Sequence, residues 1–480
     1  MKKIVVIALC VVLFTSCEKD FLDTIPKSTI NGDQLATSAS ANQALISGIY
    51  AALRSYGLSI PGSHEDYGHK SVLSAMDMMS NDMLMTKSSW YSNFYNYLGR
   101  QQTNTRSRLV WVTYYSQIKA ANTVLIAIPS GTTDQELKMI RGQALALRGY
   151  FYFMLARTYG PTYVNNDSEL CVPLYKEVAL EGKARSTVNE VYTVIESDLQ
   201  ESIELLKDYK RLNNDSVDRS VAQAFLAQVY LEMGKYSEAA NTAHLARENY
   251  TLLSEAEWLS GFSVTKSNET MWGATLNSSI STFVANFFSH FDNTNPSGYA
   301  GGNGIFKNID KRLYENISNT DFRKKAFVGP DGNEVYTKLP VYANIKFRDP
   351  TIDGGSYIYL RSSEMYYIEA EALARSGDEA NAKKVLYEIT VTRDPAYVLS
   401  TNSGSNLINE IILQKRIELW GEGCAWYDMK RLGVPLVRDY SGTNHPEFGR
   451  FNIPVGDNKF IFQMPQAEID ANPLMVQNPL

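Results

Sequence analysis

The sequence is poor in the residues that build several kinds of site. Its 480 residues include only 4 Cys and 5 His, too few for a disulfide-built scaffold or a histidine-rich metal enzyme. Lys and Arg total 46 against 52 Asp and Glu, a net charge of −6, and there are no basic blocks. That excludes a protein that works by neutralising phosphates, so no nucleic-acid partner is expected. After residue 14 no apolar run approaches the ~18 residues of a membrane span. The motifs "GxSxG" and the helical zinc pair are also missing. What is abundant is tyrosine, at 30 residues. Its apolar ring and polar tip suit wet apolar surfaces as well as core.

The chain opens with a targeting pattern. Lys2 and Lys3 precede the apolar run Ile4–Phe14, and the small residues Thr15 and Ser16 lead to Cys17. The run is too short to span a bilayer and suits a signal-peptide core. "LFTSC" resembles a bacterial lipobox, although Phe14 stands where Leu is commoner. The reading is a signal peptide over 1–16 and lipid attachment at Cys17, with acyl chains as the membrane anchor. The alternative is an ordinary secretory signal with an incidental cysteine. Cys171 and Cys424 remain as two small apolar side chains or as one disulfide; the sequence leaves both open.

Apolar spacing of three and four predicts helices over Leu35–Arg54, Arg108–Ile128 and Asp134–Thr158, the last two stopped by Pro129/Gly131 and Gly160/Pro161. Two stretches share a finer pattern. Leu226, Ala227, Tyr230, Gly234, Tyr236, Ala239 and Ala246 are matched by Ala370, Leu373, Gly377, Ala382, Leu386 and Ile389. Small residues at these places let antiparallel helices approach closely, as in tetratricopeptide units. From 250 to about 357 the composition changes to Asn, Ser, Gly and aromatics, which predicts long loops and short strands. The fold expected is mostly α, with tetratricopeptide-like helical hairpins over about 35–250 and 358–432. An irregular lobe covers about 250–357, with contributions from about 57–105, and loops of this length are usually functional.

Three groups of residues are candidates for chemistry. In "QKRIELWGEGCAWYDMKRLG", Arg416, Glu418, Glu422, Asp428, Lys430 and Arg431 alternate with apolar residues. Two carboxylates near aromatic rings could serve a glycosidase, but paired charges holding a helix end are the favoured reading. His64 and His69, with Asp77 and Asp82, fit no standard zinc spacing. "DNTNPSGYAGGNG" is oxygen-rich and would suit calcium best, but Thr294 and Pro296 break the loop pattern, so no cofactor is expected. The third group is aromatic. Five of the six Trp have packing roles: Trp111 on a helix stripe, Trp420 and Trp426 in the charged segment, Trp258 and Trp272 in apolar surroundings. Trp90 lies instead in Ser- and Asn-rich "TKSSWYSNFYNYLG". Flat rings stack on the C–H face of a sugar while polar side chains bond its hydroxyls. Trp90, Tyr91, Asn93, Tyr95, Phe291 and Tyr299 are therefore the candidate ligand residues, with packing of the lobe as the competing explanation.

Five segments carry a family resemblance: "SCEKDFLDTIP", "ALRGYFYFMLARTYG", "YLRSSEMYYIEAEALARSGD", "ILQKRIELWGEGCAWYDMKRLG" and "FQMPQAEIDANPLMVQNP". Together they resemble the SusD/RagB family of Bacteroidetes outer-membrane lipoproteins. The resemblance implies a non-catalytic, lipid-anchored protein at the cell exterior. It would bind an oligosaccharide or polysaccharide and deliver it to a SusC-like TonB-dependent outer-membrane channel. The acidic residues after Cys17 resemble the family's surface-export signal. A peptide-binding or scaffold lipoprotein using the helical repeats is the alternative.

Overall fold

A computed structural model of the chain describes residues 38–179, 181–351 and 353–480. The signal segment and Cys17 lie outside these residues. The architecture is a helical array interrupted once by a lobe. Its elements are α1 (Ala39–Ala52), α2 (His69–Met78), α3 (Arg108–Ala127), α4 (Gln135–Tyr159), α5 (Val188–Leu205), α6 (Arg219–Met233) and α7 (Tyr236–Arg247). After the lobe come α8 (Ser362–Arg375), α9 (Glu379–Arg393), α10 (Gly404–Glu418) and α11 (Ala425–Leu432).

Local chemistry sets the helix ends. Asp134 accepts from the Leu137 N–H at 2.9 Å and starts α4. Thr187 and Glu190 form a reciprocal capping box on α5, and Asp218 caps α6. Gly234 closes α6 at φ 73°, a left-handed position that glycine occupies without a Cβ clash. The helices predicted from spacing are found as α1, α3 and α4, with ends close to those predicted.

Each helix of the array packs on the next: α3 on α4, α4 on α5, α5 on α6, α6 on α7, α8 on α9. The close approach of α4 to α5 depends on missing side chains. A Cβ at Gly142 would lie 2.8 Å from Leu206 Cγ, and one at Gly149 would lie 3.1 Å from Leu199 Cγ. Ala239 and Ala382, the small residues of the two repeat copies, are both fully buried. Although residues 248–361 separate them in the chain, α7 packs on α8 as closely as α6 packs on α7. The array therefore runs on past the lobe.

The lobe enters and leaves through one ribbon. Strand β2 (Thr270–Ala274) pairs antiparallel with β4 (Tyr357–Arg361), Thr270 opposite Arg361 and Ala274 opposite Tyr357. Strand β1 (Met83–Met85) pairs with β3 (Lys307–Ile309), Met83 opposite Ile309, which ties the 57–105 segment to the lobe. A third ribbon joins β5 (Leu436–Val437) to β6 (Asn452–Ile453). The cysteines do not pair: Cys171 and Cys424 are separate free thiols.

Candidate functional site

The charged segment at the end of α10 is closed to ligands. Glu418, with no exposed side-chain surface, takes Arg361 at 2.9 Å, Arg393 at 3.1 Å and Arg323 at 3.2 Å. The Trp258 indole N–H also donates to it at 2.9 Å. Around it Glu269 pairs with Arg361 and Arg393, Glu422 with Arg361 and Lys346, and Asp321 with Arg323. Four cations thus meet four carboxylates. Burial opposes ionisation of Glu418, but Arg393, Arg361 and Arg323 hold its carboxyl well below the usual range. A permanently ionised, fully bonded carboxylate cannot act as a general acid. The neighbouring charges are equally occupied. Arg416 pairs with Asp82, and Asp428 with Lys415 and Arg431. Lys430 donates to the carbonyls of Arg157 and Gly160.

The metal candidates have other work. His69 is bonded to Tyr114 (2.8 Å) and Tyr150 (3.2 Å), and burial pushes its pKa down to about 3. Asp77 accepts the N–H groups of Gly423 and Ala425. In the oxygen-rich stretch, Asp292 binds the Thr294 N–H, and Asn293 donates to the carbonyls of Lys307 and Asn344. Among the described residues no group of three or more His, Cys, Asp or Glu converges.

The aromatic candidates come together, and they do so around a residue that the aromatic argument left out. The His64 imidazole stacks on Trp90 with ring centroids 4.6 Å apart and planes 6° from parallel. Tyr299 meets His64 edge-on at 5.5 Å, and His290 lies 4.9 Å from Tyr299. Ser89 Oγ donates to the Tyr299 hydroxyl at 3.2 Å. Trp90 and Tyr299 remain half-buried. Trp90 is the sole tryptophan of the six not buried. Desolvation lowers the pKa of His64, so the ring is neutral near pH 7, and its buried Nδ1 has no hydrogen-bond partner among the described residues.

A buried carboxylate supports this cluster from behind. Glu65 accepts the Tyr91 N–H and pairs with Arg106 Nε at 2.6 Å. The Arg106 guanidinium in turn flanks Trp90, 5.9 Å from the ring centroid. Tyr91 sits at φ 73°, left-handed backbone that costs a non-glycine residue ~1–3 kcal/mol, held here by that bond to Glu65. The sharp turn carries Trp90 outward and Tyr91 inward.

Three of the six candidates need correction. Tyr91, Tyr95 and Phe291 are fully buried and present no face to a ligand. Tyr91 packs against His290 and Phe291 and donates to the Tyr67 hydroxyl. Tyr95 bonds His445. Tyr91 and Phe291 back the cluster through His290, and Tyr95 packs apart from it against His445 and Phe448. Asn93 is half-buried and accepts from Asn104 at 3.1 Å. His64 carries no local signal of this role: in "SIPGSHEDYG" it is one of several polar residues, and only the fold sets it against Trp90.

Two clefts lie at different ends of the molecule's chemistry. One of about 540 Å³, between residues 161–166, the end of α11 and residues 455–461, is edged by exposed Val164, Val434 and Val455. Its cations Lys430 and Arg431 are already bonded. The other, of about 300 Å³, lies in the lobe and includes Gly301 of the short helix that carries Tyr299.

Residues 20–231 match the family described as starch-binding, associating with outer membrane, of SusD-like type. Residues 260–480 match the SusD/RagB family. A SusD-like protein of Bacteroides ovatus is 22% identical and aligns with all of this chain and 98% of its own. SusD-like protein P38 of Formosa agariphila is 25% identical over 67% of this chain and 72% of its own. Among solved structures, a SusD-like carbohydrate binding protein from Bacteroides vulgatus superposes with a TM-score of 0.78 at 24% identity. That superposition covers 91% of this chain and 97% of the other. Surface glycan-binding protein A from Bacteroides thetaiotaomicron, solved in complex with laminarihexaose, gives 0.69 at 18% identity over 92% and 99%. With matches running from residue 20 to residue 480 and the helical array and lobe in common, the chain belongs to the SusD family.

Proposed function

We propose that this protein is a surface glycan-binding lipoprotein, anchored through Cys17 to the outer membrane and facing the cell exterior. It captures oligosaccharides and passes them to a SusC-like TonB-dependent channel. The observation that carries the glycan reading is the Trp90–His64–Tyr299 cluster. Its rings are half-buried, with Tyr299 set at an angle to the stacked pair and Ser89 and Arg106 beside them. A pyranose offers the complement, with C–H faces for the rings and hydroxyls for the rim. The relation to a glycan-binding neighbour crystallised with laminarihexaose supports the same reading. Hydroxyls exchange water for protein at little net gain, so affinities of roughly −4 to −8 kcal/mol, millimolar to micromolar, are expected. Capture without hydrolysis is the consistent chemistry, because Glu418, Glu422 and Asp428 of the charged segment are each held by cations.

The test is affinity electrophoresis across a panel of polysaccharides with peptide controls, followed by calorimetry on the sugar retained. Trp90→Ala and Tyr299→Ala should each weaken that binding while the melting temperature holds. Unchanged affinity in both would place the site elsewhere. A peptide-binding role has one observation in its favour, the Val-edged cleft beside α11, and the peptide controls address it.

A further inference from the structure

We infer that the lobe cleft beside Tyr299 is a subsite for an anionic sugar residue, one bearing a carboxylate or a sulfate ester. This rests on the glycan reading above and narrows it to a substrate class. The short helix Tyr299–Asn303 separates two surfaces. Tyr299 faces His64 and Ser89, and Gly301 opens on the cleft. A glycan chain lying over the platform can continue into the cleft across this one turn.

The cleft has the make-up of a sugar site. Phe306 and Leu339 give it apolar surface, and Asn293, Thr294, Thr337 and Lys338 give it polar walls. Its volume of about 300 Å³ is at the low end for small-molecule sites. Its charge is the informative feature. In a chain with more acidic than basic residues, no Asp or Glu lines this cleft, and Lys338 is its one charged lining residue. Lys338 is exposed and has no carboxylate within ion-pairing distance among the described residues. A second such lysine stands at the margin. Lys87 reaches the Asn303 carbonyl at 3.2 Å and makes no ion pair among the described residues. A Cβ at Gly304 would meet Lys87 Nζ at 3.1 Å and the Phe306 ring at 3.7 Å. Around Glu418 the cations are answered by carboxylates. Here two lysine ammonium groups meet a cleft with no acidic lining residue among the described residues, and an anionic ligand would supply their counter-charge.

The experiment uses the full mature chain in affinity electrophoresis. The probes are polygalacturonate, alginate and a sulfated galactan, each run beside its methyl-esterified or desulfated form, with laminarin as a neutral arm. Retention by a charged polymer and its loss on neutralisation is expected, and the arm that retains separates carboxylate from sulfate. Lys338→Gln should weaken that binding by about ten-fold, and about 0.5 M salt should weaken the parent by screening. Equal retention of charged and neutralised forms, or an unaffected Lys338→Gln with a native melting curve, would overturn the anionic subsite. Retention by laminarin alone would overturn it and leave the glycan platform standing. Failure to retain any of these polymers would count against both.

Discussion

Two regions of this protein bring aromatic rings and charges together, and they are opposites. Around Glu418 every charge is buried and every one has a partner. Around Trp90 the rings are half-exposed, and the His64 Nδ1 is left unbonded. In sequence, the first looks the more chemical, with carboxylates and arginines alternating among tryptophans. In space it has no vacancy for a substrate. Reactivity and recognition need groups whose bonding is incomplete in the free protein, and that distinction is made by tertiary partners far along the chain.

The largest effect should come from breaking the closed region. Glu418→Ala leaves Arg323, Arg361 and Arg393 facing one another without their central carboxylate. Loss of one partner of a buried ion pair costs ~3–5 kcal/mol. Denaturant unfolding should show that loss, and a variant as stable as the parent would erase the contrast. Overpacking the helical array should cost less. Ala239→Leu or Ala382→Leu forces a larger side chain into a fully buried helix contact, at ~1–3 kcal/mol by thermal melt.

Trp90→Ala should do the reverse of Glu418→Ala. Calorimetry should show glycan binding weakened by about 1–3 kcal/mol, with the unfolding midpoint almost unmoved. A collapsed melting temperature would make Trp90 a packing residue and merge the two regions into one kind. The smallest effect concerns Lys307, buried behind Phe291 with the Ile305 carbonyl at 3.1 Å. Burial pushes its pKa down to about 7. Between pH 7 and 10 the unfolded chain therefore binds a proton that the folded chain does not, and stability rises with pH over this window. Lys307→Met should flatten that rise by roughly 1–2 kcal/mol between pH 7 and 9, read from denaturant midpoints.

Much of the array was legible because helices are local. The stripe of Trp111 and Ile118, the stop at Gly160–Pro161 and the Ala239 and Ala382 contacts follow from spacing, propensity and caps. The packing roles of Trp258, Trp272, Trp420 and Trp426 were equally readable from apolar neighbours. What sequence did not disclose were pairings across the lobe. Glu269, Arg323 and Arg393 give no local sign that they meet at Glu418. Tyr91 and Trp90 are adjacent and alike in composition, and one left-handed residue sends one ring inward and the other outward. Burial of Tyr95 and Phe291 depends on His445 and Tyr91, which lie far from them in the chain. The neighbourhood of Trp90 and Tyr299 was open to inference from composition, but His64 between them was not.

The lobe's single point of entry has a consequence for how such proteins diversify. The β2–β4 ribbon brings the lobe's two ends side by side, and α7 already packs on α8 without it. The ionic contacts across that boundary divide evenly as well. Glu269, Asp321, Arg323 and Lys346 come from the lobe, and Arg361, Arg393, Glu418 and Glu422 from the flanking helical part. Each set is electrically neutral by itself. A lobe of different sequence could replace this one as a cassette, provided that it brought two acids and two bases to the same seam. Recombination could then exchange the lobe's half of the site, Tyr299 and its cleft, while Trp90 and His64 stayed with the 57–105 segment and the supporting helices kept both their packing and their charge balance.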